Sequence, residues 1–301
     1  MRSFQFVTVD VFATRAFDGN PLAVFPHADG LSDREMQALA AELNLSETTF
    51  VLPPADSSRT ARVRIFNRSS EMAFAGHPNV GTAWVLDRMG QTKGVRLCFE
   101  EIAGLVEVRI DKDMVTVDAP QALSLGPEMP ADLFAPCASL AAADIVVSSH
   151  RPVLASVGHP FVIGEVSADA LIRAVPDIGA FRKSSDLYRA SEPHALSLYL
   201  YARHEGRLRA RMFSPLAGTI EDAATGSAAT ALTALLLSLS DGPDCHFEVS
   251  QGTEMGRPSR LSCTARRAAD GIRVSVSGAC VQMFRGEITL PERSEELDHD
   301  A

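Results

Sequence analysis

Three side chains in this 301-residue chain have types suited to moving protons: Glu47, His77 and Asp222. Glu47 lies in 44-NLSETTFVLPP-54, among hydroxyl side chains and just before an apolar strand. A carboxyl there is either an exposed edge residue, which the residues alone favour, or a group held in a half-apolar pocket. In a pocket its pKa rises and it can exchange protons near neutral pH. His77 stands between Gly76 and Pro78 in 71-EMAFAGHPNVGTAWVL-86. Imidazole is costly to bury without partners. It is therefore either a satisfied structural histidine or an acid or hydrogen-bond donor to a substrate. Asp222 lies in 221-EDAATGSAATALTALL-236, just ahead of Gly226 and Ser227. It either caps the helix that follows or faces Glu47 as a second proton-handling or orienting carboxylate.

Gly76 and Gly226 open two apolar segments of the same shape. A helix start presents unpaired N–H groups and partial positive charge, and glycine lets a ligand approach the backbone closely. Two such starts aimed at one cleft would cradle a carboxylate or similar small anion. The alternative is that both glycines serve close packing. Neither segment is a phosphate loop, since GxxxxGK[ST] and GxGxxG are absent.

Other site classes fit poorly. The eight histidines form no HExxH and no His/Cys ligand spacing, so no metal is expected. Ser227 is not in a GxSxG elbow. Arg207, Arg209 and Arg211 alternate in 206-GRLRARMF-213, which reads as a strand with one solvated basic face. A net charge of −10 and a pI near 5.3 argue against nucleic acid and anionic membranes as partners. Five scattered cysteines, none in CxxC, read as buried or half-buried reduced thiols in a cytoplasm. The N-terminus reads as a strand rather than a signal peptide. The longest apolar stretch, near 228-AATALTALLLSL-239, is too short to span a bilayer.

The elements that must position these groups come in two sets. Gly19 and Pro21 return as Gly158 and Pro160, with His159 in the place of Asn20, and Arg64-x-Phe66, Glu71 with Gly76, and Phe99-Glu100 with Gly104 return after them in the same order, all at shifts of about 140 to 150 positions. Each set reads as strand, Gly-Asn/His-Pro, more strand and helix, an Arg-x-Phe strand, a Gly-His/Ser helix start and closing strands. Alternation marks strands at 61-ARVRIF-66, 105-LVEVRI-110 and 272-IRVSVSG-278. Ser32 with Glu35 forms a capping-box pattern for a helix over 32–44. Residues 79–89 and 228–239 are apolar around most of the helical wheel, as in a helix wrapped by strands. The expected fold is α+β, two pseudo-symmetric halves, each a curved and mostly antiparallel sheet or barrel around a central helix. The first half spans 1–120 and is completed by a strand near 281–291; the second spans 121–280. The Pro-rich stretch 119–136 lies at the boundary.

Together, DVFATRAFDGNPLAVF, LNLSETTFV, MAFAGHPNVGTA, EDAATGSAA and QGTEMGRPS resemble the PhzF-like proteins of phenazine biosynthesis, in family order over residues 4–287. The resemblance implies the diaminopimelate-epimerase-like fold, a site between the halves, no organic cofactor or metal, a small carboxylate substrate and a homodimer. By it, Glu47 is the main acid–base group and His77 and Asp222 assist. Asn20, Gly76, Gly226, Ser227 and Gln251 line the substrate pocket. Related racemases of the fold carry a cysteine ahead of each helix-start glycine; here those places hold Ala75 and Thr225. A two-thiol racemase is therefore disfavoured, and a cofactor-independent isomerase is expected, with a non-catalytic ligand-binding protein as the alternative. Asn79 replaces a common Thr and Ala223 a common Pro, departures that bear on the substrate more than on the fold.

Overall fold

A computed structural model describes residues 1–92, 94–188 and 196–292. The first half contains β1 (Arg2–Val11), β2 (Asn20–Phe25), α1 (Asp33–Leu43), β3 (Glu47–Leu52), β4 (Ala61–Phe66), β5 (Glu71–Met72), α2 (Gly76–Arg88), β6 (Arg96–Glu101), β7 (Gly104–Asp111) and β8 (Met114–Asp118). The second contains β9 (Ser124–Glu128), α3 (Ala131–Cys137), β10 (Val153–Ser156), β11 (Pro160–Glu165), α4 (Ala168–Arg173) and α5 (Ile178–Leu187). It continues with β12 (Leu198–His204), β13 (Arg207–Ser214), β14 (Thr219–Asp222), α6 (Gly226–Ser238), β15 (Asp244–Gln251), β16 (Ser259–Ala268) and β17 (Gly271–Leu290). The Pro-rich boundary stretch is therefore structured, carrying β9 and α3.

Strands β1, β2, β3, β4, β6, β7, β8 and β17 pair in that order, and β17 returns to β1, closing a barrel. Within it only β2–β3 and β4–β6 are parallel. The second half repeats the pattern, with β11–β12 and β13–β15 parallel and β9–β10, β10–β11, β12–β13, β15–β16 and β16–β17 antiparallel. The N–H groups of Ala119 and Leu123 bond the carbonyls of Val274 and Ile272 and draw this ring shut. Strand β17 serves both: Gly271–Ser277 pairs with β16 and Cys280–Leu290 with β1.

Alternation builds the walls. In β7, Val106, Val108 and Ile110 point inward and are buried, while Leu105 and Glu107 are exposed. The barrels enclose α2 and α6, whose apolar residues leave no polar face to solvate. The threonines of α6 are accommodated inside by bonding their own helix: Thr230 Oγ1 to the Gly226 carbonyl at 2.9 Å and Thr233 Oγ1 to the Ala229 carbonyl at 2.8 Å. The capping box of α1 forms, with the Glu35 N–H on Ser32 Oγ at 3.3 Å and the Ser32 N–H on Glu35 Oε2 at 2.8 Å. This helix packs outside the first barrel over Phe25, Phe50 and Phe66. Helices α3, α4 and α5 cover the second barrel, bringing Phe134, Leu171 and Phe181 into one apolar cluster with Phe213 of β13.

The alternating arginines of β13 do not form a solvated basic face. Arg207 is exposed, Arg209 meets Glu254 at 2.6 Å, and Arg211 is buried. Arg211 forks onto Glu221 with two bonds of 2.8 Å and donates to the carbonyls of Leu171, Ile172 and Ala174. The reason lies in the layer above the sheet: α4 and the residue after it cover this face of β13 at Arg211 and supply the carbonyls it meets. Arg64 makes the corresponding fork on Glu71, at 2.7 and 2.6 Å. All five thiols are free; Cys137, Cys263 and Cys280 are buried. No helix among the described residues is long and apolar enough to cross a membrane.

Candidate active site

The two glycine helix starts meet back to back. A Cβ placed on Gly76 would sit 3.3 Å from the Gly226 Cα and 3.4 Å from the Ser227 nitrogen. Glycine eases this approach at position 76, where a side chain would be crowded, more than at 226, where a Cβ would meet its nearest atoms at 3.5 Å. The cleft they open has a volume of about 270 Å³, at the small end of ligand sites. Glu47, Gly76, His77, Asp222, Gly226 and Ser227 all line it. Both starts lack a side-chain cap, with Ala75 and Thr225 at the cap positions. Asp222 therefore does not cap α6.

Glu47 is the first residue of β3, and its Oε2 is shut off from solvent. The exposed-edge reading of this residue is replaced by the pocket reading, because β3 runs in parallel beside β2 and ends its first residue in the cleft wall. Burial raises the Glu47 pKa from its ordinary 4.5 to about 7, against the lowering effects of the Ser46 hydroxyl and the Arg68 charge. His77 is buried in the first turn of α2, and desolvation lowers its pKa to about 4 in spite of the Asp222 charge. Burial therefore favours its neutral form. His77 Nε2 lies 3.3 Å from Glu47 Oε2, and neither atom has a hydrogen-bond partner among the described residues. A neutral imidazole nitrogen can accept from a carboxylic acid or, in the other tautomer, donate to a carboxylate. The pair is thus compatible with either state of Glu47.

Asp222 is held firmly. Its Oδ1 accepts from Asn20 Nδ2 at 2.8 Å and its Oδ2 from Thr225 Oγ1 at 2.6 Å. Burial is the largest cause that lifts its pKa to about 6, and the Glu47 charge adds to it; His77, Thr225 and Asn20 pull the other way. Asn20 and Gln251, expected to line the pocket, stand behind its wall and are almost fully buried. Asn20 also donates to the Ala224 carbonyl at 3.0 Å and accepts from Ser46 Oγ at 3.0 Å. Gln251 donates to the Asp222 carbonyl and to Thr225 Oγ1, and accepts from the Thr225 N–H and the Tyr199 hydroxyl. Both have their polar atoms spent on fixing the 222–225 segment.

His159, Phe161, Ser197 and Ser214 form much of the second-half wall and were not singled out from sequence. His159 had a usable signal, since Gly158-His159-Pro160 is the counterpart of Gly19-Asn20-Pro21. Ser197 and Ser214 had none: they share a 2.7 Å hydrogen bond across neighbouring strands, visible only after folding.

Comparison with known proteins agrees with this architecture. The family model described as phenazine biosynthesis-like protein (PhzC-PhzF) matches residues 9–286. The trans-2,3-dihydro-3-hydroxyanthranilate isomerases of Pseudomonas chlororaphis and Pseudomonas aeruginosa are each 37% identical, across 95% of this chain and 99% of their own. A PhzF-family phenazine biosynthesis protein of Bacillus anthracis superposes with a TM-score of 0.86 at 24% identity, covering 96% of this chain and 100% of that one. A hydroxyproline epimerase of Agrobacterium vitis shares the fold at a TM-score of 0.61 and 16% identity, over 95% and 92% of the chains.

Proposed function

The chain belongs to the phenazine biosynthesis-like family and is an isomerase, and from that premise we propose that it shifts a proton between carbons of a small unsaturated carboxylic acid, with Glu47 as the acid–base group. The observation that carries this reading is the Glu47–His77 pair: a carboxyl with a pKa of about 7, 3.3 Å from a neutral imidazole, in the wall of a cleft closed by two helix starts. A carboxyl titrating near the working pH is half ionised. It can take a proton from an activated carbon and, now an acid, return one elsewhere. With its proton on Nδ1, His77 Nε2 is placed to accept from Glu47 when the carboxyl holds the proton. The first-turn amides of α2 and α6 are suited to hold the substrate carboxylate and to stabilise the delocalised anion. Asp222, fixed by Asn20 and Thr225, orients the substrate opposite Glu47. No step requires a cofactor. The cysteine-pair chemistry of related racemases has no counterpart at Ala75 and Thr225.

We read the halves as copies of one duplicated unit. The shared order of strand pairings and the Arg64–Glu71 and Arg211–Glu221 forks support this.

The test uses trans-2,3-dihydro-3-hydroxyanthranilate, the compound in the relatives' names, incubated with the protein in D2O and followed by NMR. Isomerisation with solvent deuterium entering carbon is expected for the wild type. Glu47→Gln exchanging as fast as wild type would show that the base lies elsewhere.

A further inference from the structure

Behind the cleft, a loop of the second half grips the first. Residues 252–258 join β15 to β16, and Gly252 stands in the left-handed region at φ 75°. A Cβ there would lie 2.5 Å from the Arg257 carbonyl oxygen and 2.6 Å from that of Ala223, so the loop folds tightly against the segment that carries Asp222. Ser259 Oγ adds a bond to the same Ala223 carbonyl at 2.9 Å.

From this loop Arg257 crosses to the first half. Its Nη2 donates to Asp10 Oδ1 at 2.6 Å and to the Asp18 carbonyl at 3.0 Å, and its Nε donates to the Gly19 carbonyl at 2.8 Å. The Gly19 N–H returns to the Pro258 carbonyl at 3.2 Å. The other oxygen of Asp10 takes the Phe17 N–H at 2.8 Å. Phe17 and Gly19 both stand at φ 71°, a conformation that costs energy for phenylalanine and needs outside support. One guanidinium and its carboxylate supply that support. The next residue is Asn20, whose amide holds Asp222. Every polar atom of the Asn20 side chain is already committed, so its position follows the backbone that Arg257 fixes.

We propose that Arg257 is a positioning residue for the isomerisation: it fixes the Asp18–Asn20 turn and, through Asn20, the hydrogen bond that orients Asp222. The inference rests on the proton-shift reading for what Asp222 does, not for how Asp222 is held. Arginine is required because one planar group must bond Asp10 and two carbonyls at once, which the single ammonium of lysine does less well.

Asp222 is faced by Glu47 from β3, His77 from α2 and Tyr199 from β12, besides the neutral donors Asn20 and Thr225. When the Asn20 donor drifts, the carboxylate loses stabilisation and Asp222 titrates at higher pH. The experiment compares wild type with Arg257→Gln and Arg257→Lys after thermal melts establish that each is folded. The 13C carboxyl resonance of Asp222, assigned with Asp222→Asn, is followed against pH without substrate. Its midpoint is expected to rise by about half a unit or more in Arg257→Gln. With trans-2,3-dihydro-3-hydroxyanthranilate, kcat falls by about tenfold to a hundredfold and KM changes by less than about threefold. Arg257→Lys is intermediate in both, and it carries the comparison alone where Gln unsettles the fold. Arg257→Gln added to Asn20→Ala lowers kcat little further, since both act through one bond. An unmoved Asp222 midpoint in a folded variant, or full additivity with Asn20→Ala, overturns the inference and leaves the proton-shift reading standing. Undiminished exchange in Glu47→Gln removes Glu47 as the base whatever Asp222 does, and absence of any solvent deuterium in the wild-type product overturns the proton-shift reading.

Discussion

The two walls of the cleft share a plan and differ in how their acidic groups are satisfied. Each has a helix starting at glycine, and each has an Arg–Glu fork in the strands before it. On the second-half side both oxygens of Asp222 are taken by Asn20 and Thr225. On the first-half side Glu47 Oε2 and His77 Nε2 face each other with no other partner among the described residues. A carboxyl held at both oxygens is suited to orient; one left open, with a pKa near 7, is suited to exchange. The difference locates the asymmetry in side-chain hydrogen bonding, with the backbone plan left common to both.

The sharpest way to break this comparison is to neutralise each carboxyl in turn. Glu47→Gln should lower solvent exchange by about a thousandfold or more, and Asp222→Asn by about tenfold to a hundredfold. Equal losses in the NMR assay would end the distinction. The forks come next. Glu221→Gln leaves Arg211 charged and buried, and should cost about 3 kcal/mol in urea unfolding. Glu71→Gln leaves Arg64 its second partner, Asp33, and should cost about 1 kcal/mol.

A third test uses pH. The Glu47 pKa goes from 4.5 to about 7 on folding, so the folded state favours the protonated acid. The stability this group gives is complete below pH 4.5 and is lost as pH rises through 7. Glu47→Gln does not titrate, so relative to wild type it should gain up to about 3 kcal/mol between pH 4 and pH 8.5. Urea unfolding at the two pH values measures this; a constant difference would mean that Glu47 is not desolvated. The smallest effect concerns the glycines. Gly76→Ala crowds Gly226 Cα and Ser227 N, and should cost about 1 kcal/mol. At Gly226 the nearest atoms lie at 3.5 Å, and helix propensity should make Gly226→Ala neutral or slightly stabilising, by under about 1 kcal/mol. Calorimetric melting temperatures decide the order.

Much of the frame was legible. Ser32 with Glu35, the alternation in β7 and the all-round apolar character of α6 depend on neighbours close in the chain, and each appears in the structure as the sequence suggested. Gly76 and Gly226 were legible as helix starts because the pattern occurs twice. The depth of individual polar groups was not. Arg211 alternates with apolar residues as a surface arginine would, yet the carbonyls near α4 and the carboxylate of Glu221 enclose it. Glu47 read as an edge residue and was placed in a wall. Asn20 and Gln251 were expected to line the pocket and lie behind it.

Local pattern in the sequence marked the starts of α1, α2 and α6, the apolar faces of β4, β7 and β17, and the residues with the chemistry to move a proton; it did not mark α3, α4 or α5. These are consequences of local periodicity and local capping. Only the tertiary structure decided that Asn20 meets Asp222 across 202 positions and that Glu47 meets His77 at 3.3 Å. It alone lifts one carboxyl towards pH 7 and lowers an imidazole towards 4. The reason is physical: desolvation and hydrogen-bond satisfaction depend on what the rest of the chain packs around a group, and those neighbours are distant in sequence.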